Sequence, residues 1–300
     1  MSEPTGTIHD LGYKRYAGAR QSTRTRWMVI ARNQIASAWK TWWRFKSALG
    51  LAVIVTVIAG GVMFLLQDRT VNGLALPSGI AATLTDAALP RSIEWYSRAA
   101  FLLSLTFGAG VIARDVQSGA FTFYFARSVR PRDYVLGKLG GMLAVNAAIM
   151  LAGPLSLAIA RLALSDSTDQ LLAMLPILPK ALAIGVLGTL AFAAVPLGFS
   201  ALIRNPRHAT ALWAVYYLVI GSMAVALSRV MKNSLGALDI ATALDGLTYD
   251  LFHMTQTWGR SKRVDPSLAL TSLLVQAGAA ISLIAYKVRR AHLEGIGGSS

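Results

Sequence analysis

The sequence predicts an all-α integral membrane protein, with six transmembrane helices preceded by an amphipathic interfacial helix and with both termini in the cytoplasm. Three observations carry this expectation. Of 300 residues, 54% are hydrophobic and only 14% are charged, whereas a soluble domain carries about 25% charged residues. Six apolar runs approach the roughly 20 residues a helix needs to cross a hydrocarbon core about 30 Å thick. Lysine and arginine gather in the segments that would share one side of the membrane.

Taken in order, residues 1–23 read as a cytoplasmic tail, with Gly6, Gly12 and Gly18 among scattered polar residues. Its basic and aromatic stretch around Tyr13 and Tyr16 suits contact with a partner or with lipid headgroups. Residues 24–46 read as the interfacial helix. At 100° per residue, Trp27, Ile35, Trp39, Trp42 and Phe45 share one broad face, while Arg26, Asn33, Lys40 and Arg44 share the other. Trp at headgroup depth and cations toward anionic lipid are what such a helix uses. The candidate membrane-interface residues are Arg26, Trp27, Trp39, Lys40, Trp42, Trp43 and Arg44.

The predicted spans, within a six-helix domain at 47–287, are 48–66, 95–113, 139–160, 181–203, 209–228 and 267–286. The second has the shortest charge-free stretch, 99–113, and Arg98 and Arg114 can snorkel from its ends. Pro154 and Pro196 lie inside two spans and each removes a backbone hydrogen bond, which predicts a kink. Asn146 and Gln276 are amides at membrane depth, suited to bonding between helices.

With the N-terminus inside, segments 1–47, 114–138, 204–208 and 287–300 hold 19 Lys and Arg, and the outside segments hold 10. That bias sets the orientation. The external loop at 229–266 carries Asp239, Asp245 and Asp250 in a moderately apolar stretch, and 288–300 is a cytoplasmic tail.

Composition and motifs also exclude functions. The net charge of +15 is a property of nucleic-acid binders, but the cations sit between apolar runs and not on a polar domain, so no nucleic acid is expected. With no cysteine, disulfides, thiolate catalysis and Cys-ligated metals are excluded. The first 46 residues lack the early apolar core of a cleavable signal peptide. There is no GxxxxGK[ST], HExxH or GxSxG pattern, and His9, His208, His253 and His292 are scattered, so neither catalysis nor a metal site is expected. With the second span counted over its charge-free stretch 99–113, the six runs contain no charged residue or histidine, which weighs against proton-coupled transport and an intramembrane enzyme.

The connection at 114–138 is the most informative segment. It is basic and aromatic, and it is too patterned for a plain connector. Ser118 and Gly119 can open a helix, Ser being a good N-cap. Phe121, Tyr124 and Phe125 then fall at i, i+3 and i+4 as one ridge, flanked by Phe123 and Arg127. The alternation of Phe121, Phe123 and Phe125 fits a strand as well, and at this length the period does not decide. Pro131 suits the first turn of a further helix leading into the third span.

The order of an acidic residue (Asp115), a glycine (Gly119), a short aromatic helix (121–126), a basic turn (Arg127, then Arg130 to Asp133) and Gly137-Lys138 resembles the second cytoplasmic connection of ABC-2 type ABC transporter permeases. Ala120 stands where that family often has Thr, and Ser128 where it often has Pro. The resemblance implies a permease subunit of an ATP-driven transporter, an exporter in the bacterial plasma (inner) membrane, paired with a second copy or a related permease. It implies that a separate ABC ATPase subunit carries ATP and Mg, with no cofactor on this chain. Asp115, Gly119, Phe121, Tyr124, Phe125, Arg127 and Arg130 would couple that ATPase to the spans. It also implies short re-entrant helices in the loop before the sixth span. The alternative from another class is a non-transporting membrane scaffold that recruits a soluble protein through the same loop.

Overall fold

The computed structural model describes residues 25–40, 43–67, 78–126, 129–231, 234–254 and 264–297. The described residues are helical throughout, with no strand among them. The tail at 1–23 and Trp42 lie outside the described residues. Six helical stretches are long and apolar enough to cross a membrane: Arg44–Leu66, Thr83–Gln117, Pro131–Ala163, Thr168–Leu202, Pro206–Met231 and Pro266–Leu293.

Helix α1 (Arg26–Lys40) ends before the first span, and α2 (Arg44–Gln67) begins after a turn at Trp43. The expected single helix over 24–46 is therefore divided, with Arg44 and Phe45 on α2. The predicted apolar face also divides. Ile30, Ala31, Gln34 and Ala38 are buried in the packing of α1 on α6 (Pro131–Met150). Ile35 and Trp39 point outward, and Trp27 is half-buried. Small side chains explain the choice: at Gly137 of α6, an added Cβ would lie 2.6 Å from Ile30 Cβ and 2.8 Å from the Trp27 carbonyl oxygen. Trp39 closes the corner between α1 and α2, its ring 5.8 Å from Phe45 and 5.7 Å from Lys46 Nζ.

The second span is longer than its apolar run. Helix α3 (Ser78–Leu103) starts well before position 95 and carries Asp86, Arg91, Glu94 and Arg98. These charges persist on the helix because they are partnered. Arg98 pairs with Glu94 one turn away, and Asp86 meets Arg161 of α7 (Ala152–Ala163) at 3.0 Å. A count of uncharged residues finds the stretch suited to hydrocarbon, not the ends of the helix.

That span is also interrupted. A π-helical turn at Ser104–Gly108 leads into α4 (Val111–Gln117). In lipid no water satisfies the backbone groups a break releases, and here protein groups do it. The N–H groups of Ile112 and Ala113 both donate to Ser200 Oγ, at 3.0 Å each. Arg114 donates to the carbonyls of Gly110 at 3.2 Å and Phe107 at 3.4 Å. Arg44 reaches the Thr106 carbonyl at 3.5 Å. The Trp213 indole N–H donates to Ser104 Oγ at 3.0 Å.

Helix α9 (Ile177–Leu202), preceded by the short α8 (Thr168–Met174), is the centre of the bundle and packs on α6, α7 and α13 (Pro266–Gly297). The third span breaks at Leu151, between α6 and α7. Pro154 explains the position, since it cannot donate to the Met150 carbonyl four residues earlier. Pro196 sits within α9 without dividing it. In the fifth span, α10 (Pro206–Val215) and α11 (Gly221–Met231) flank a second π turn, Tyr216–Ile220. The Tyr216 hydroxyl donates to Gln276 Oε1 at 2.6 Å, and Gln276 Nε2 donates to the Leu238 carbonyl at 3.2 Å. Gln276 thus joins α13 to its neighbours.

After a 3-10 turn at Leu235–Leu238, α12 (Ile240–Leu251) folds back against α3, α9 and α13, burying Ile240, Ala243 and Leu244.

Ser200 accepts two buried N–H groups, each costing about 1–3 kcal/mol if left unmade. Ser200→Ala is expected to destabilise the protein by about 2 kcal/mol, read as a lower Tm in detergent. Ser156→Ala, which removes only an exposed bond to the helix's own Ala152 carbonyl, should change stability by less than about 0.5 kcal/mol.

Candidate functional site

The 114–138 connection folds as an elbow at one end of the bundle. Helix α4 stops at Ser118, whose N–H bonds the Arg114 carbonyl at 2.9 Å, and Gly119 N–H returns to Val116 O at 3.2 Å. Gly119 adopts φ +68°, a left-handed conformation that glycine reaches without steric cost. The chain reverses there into α5 (Ala120–Ala126). Ser118 therefore closes α4 and does not open α5, a correction to its expected N-cap role. The same element decides between helix and strand over 121–125: it is helix.

On α5 the ridge faces inward. The rings of Phe121, Tyr124 and Phe125 surround Tyr134 of α6 at 5.1, 5.4 and 6.5 Å, and Phe125 also meets His292 of α13 at 4.9 Å. Tyr134 is fully buried. Its hydroxyl donates to Asp115 Oδ2 at 2.7 Å, and Lys138 Nζ reaches the same oxygen at 2.7 Å. Burial, and then the nearby Asp115 charge, raise the Tyr124 hydroxyl above the usual tyrosine range.

The expected site residues thus separate into two groups. Asp115, Phe121, Tyr124 and Phe125 hold the elbow to the third and sixth spans. Gly119 shapes the turn. Phe123, expected only to flank the ridge, is 75% exposed, and Arg130 is exposed at the start of α6, where its N–H donates to Asp133 Oδ2 at 3.3 Å. Arg127 lies outside the described residues. Tyr134 and Lys138 form the lock; the sequence reading named Lys138 only as part of the Gly137-Lys138 pair leading into the third span, and gave Tyr134 no role. A lysine about to enter the membrane, one helical turn after a tyrosine, was the available signal, since a buried cation needs a partner.

Of the interface candidates, Trp39 and Trp43 are 57% and 73% exposed, while Lys40 and Arg44 are also exposed. At the opposite end of the bundle a cavity of about 680 Å³ lies between α3, α11 and α12. Glu94, Arg98, Arg229, Asp239, Asp245 and Asp250 line it. Burial raises the Asp239 carboxyl, with bonds from Thr242 opposing the shift. Among the described residues no group of three or more His, Cys, Asp or Glu is arranged to hold a metal ion.

Residues 39–286, most of the chain, match the family described as ABC-2 family transporter protein. The chain belongs to the ABC-2 transporter family. It is a multi-pass membrane protein of the permease type. No curated protein matches it. Members of the ABC-2 family are membrane components of ABC transporters, generally not themselves catalytic, and associate in general with an ABC ATPase.

The Asp115–Lys138 pair gives a test of the lock. Lys138→Met leaves a mostly buried carboxylate without its cation and should cost about 3 kcal/mol. In Asp115→Asn/Lys138→Met the charge is gone from both sides, so stability should recover in part. A double-mutant cycle on unfolding in detergent measures that coupling; additive losses would mean that the two groups do not depend on each other.

Proposed function

We propose that this chain is the permease subunit of an ATP-driven exporter in the bacterial inner membrane. The observation that carries the proposal is the elbow: a short helix presents Phe123 outward, while its other aromatic rings are packed on the third and sixth spans. Such an element suits transmission, because displacing it displaces the helices it grips. A separate ATPase subunit, holding ATP and Mg, docks on the exposed face of α5 from the cytoplasm and moves it as the nucleotide sites close. Asp115, Phe121, Tyr124 and Phe125 carry the motion inward. Phe123 and Arg130 meet the ATPase, and Arg127 belongs to the same basic turn.

The orientation follows from the Lys and Arg bias. It places both termini, the elbow and the ends of α9 and α13 on the cytoplasmic side. Helix α1 lies at the inner surface with Trp39 and Trp43 at headgroup depth. A second copy or a related permease completes the pathway, since in the apolar stretch of each of the first and fifth spans only 17% of residues are buried within their own chain.

A docked aromatic is the kind of residue that dominates an interface, costing about 2 kcal/mol or more when lost. Phe123→Asp should reduce capture of the ATPase by the tagged permease roughly thirtyfold without lowering Tm. Tyr124→Ala should instead lower Tm, because its ring is internal. Capture unchanged by Phe123→Asp would refute the docking face. Because the chain has no cysteine, Phe123→Cys labelled by an impermeant maleimide from the outside alone would refute the orientation.

A further inference from the structure

Three cations converge on a cleft beside the elbow. The cleft holds about 310 Å³ and lies between α4, α5, the end of α9 and the last turns of α13. Arg204, Lys287 and Arg290 line it, with no carboxylate among the described lining residues, and the rest of the lining includes Val116, Phe121 and Val288. All three cations are exposed. The like charges of Arg204 and Lys287 about one small cavity repel each other, and a bound anion turns that repulsion into attraction.

The apolar share of the wall decides which anion fits. Inorganic phosphate gains nothing from Val116, Phe121 and Leu202, which also lines the cleft and is partly exposed, whereas a phosphate that carries acyl chains covers them. The cations stand at the ends of two membrane-crossing stretches, Thr168–Leu202 and Pro266–Leu293, the depth at which a phospholipid keeps its phosphate. Basic clefts between helix ends on the cytoplasmic side are suited to anionic headgroups.

We propose that this cleft binds one anionic phospholipid, its phosphate on Arg204, Lys287 and Arg290 and an acyl chain against Val116, Phe121 and Leu202. Which leaflet supplies the lipid rests on the orientation proposed above; the site itself does not. Phe121 is both a wall of this cleft and a ring packed on Tyr134 at 5.1 Å. A lipid seated there fills the space between α5 and α13 and stiffens the elbow against the sixth span.

The test is native mass spectrometry of the full chain in neutral detergent with phosphatidylglycerol, phosphatidylcholine or inorganic phosphate added. The wild-type chain should retain one phosphatidylglycerol in preference to phosphatidylcholine, and millimolar inorganic phosphate should not displace it. Each cation near a charged headgroup contributes roughly a fivefold effect. Lys287→Ala/Arg290→Ala should therefore weaken retention roughly twenty-fivefold. Lys287→Arg/Arg290→Lys should retain the lipid, as should Arg289→Ala, which alters an exposed cation outside the lining. Equal retention of phosphatidylcholine, or retention unchanged in the double alanine variant, overturns the site. Displacement by inorganic phosphate reassigns it to a free anion and overturns the lipid. ATPase capture is measured separately on the same wild-type chain. Its loss would sink the permease proposal alone, and loss of lipid preference would sink this one alone.

Discussion

A single carboxylate oxygen, Asp115 Oδ2, receives both the Tyr134 hydroxyl and the Lys138 ammonium, each at 2.7 Å, and the connection between the second and third spans is organised around it. Removing a lysine from water at the start of a span is costly unless a charge and further hydrogen bonds replace the solvent. Asp115 supplies the charge from α4, and Tyr134 sits one turn before Lys138 on α6. The rings of α5 then cover Tyr134 and limit water at the pair. The pair cannot form unless α4 ends where it does, and α5 cannot fold over it unless the backbone reverses at Gly119. One electrostatic requirement therefore fixes the geometry of three helices.

The break in the second span gives that geometry a mechanical setting. Helix α4 lies between the π turn and the elbow, so it is a short lever and not the end of a continuous rod. Its freed N–H groups are held by Ser200 of α9, and the carbonyls before it by Arg114 and Arg44. Ser104 in the π turn is bonded to Trp213 of the fifth span. A displacement of α5 thus reaches α4 directly. From there it reaches the central helix α9 through Ser200, while Tyr134 and His292 carry it to the third and sixth spans. Hydrocarbon enforces this wiring: with no water to satisfy a broken helix, every break must be bonded to a neighbouring span.

The spans were legible in the sequence because lipid solvation demands uninterrupted apolar length, and that is a one-dimensional property. What faces what was less legible. On α1, Ile30, Ala31 and Ala38 pack on α6 while Ile35 and Trp39 point away; hydrophobicity alone cannot separate a face for protein from a face for lipid, and small side chains were the better signal. Glu94 and Arg98 extend the second helix past its apolar run because they neutralise each other, a pairing that a charge count treats as a boundary. In the elbow, the i, i+3, i+4 spacing of Phe121, Tyr124 and Phe125 correctly describes one ridge. Spacing carries no information about whether a ridge meets a partner or its own chain. Tyr134 decides that, and it lies on the next helix.

The two ends of the bundle differ in chemistry. Around the cleft beside the elbow the charged lining is cationic; around the larger cavity at the other end four carboxylates stand with two arginines. Between them runs α9, whose middle, from Ala181 to Ser200, carries no ionisable group. A charged molecule passing through a single protomer would leave one set of charges and meet no other until it reached the far end, against the desolvation cost of crossing hydrocarbon-like packing. The interior of one bundle is also closed by side chains such as Trp213, Phe192 and Met150, all fully buried. A route outside this packed core avoids both obstacles. The first and fifth spans, little covered by their own chain, are where a second permease would enclose such a route. The elbow grips other spans, the third and the sixth, so under the proposed function a docked ATPase would move the wall of the route from behind.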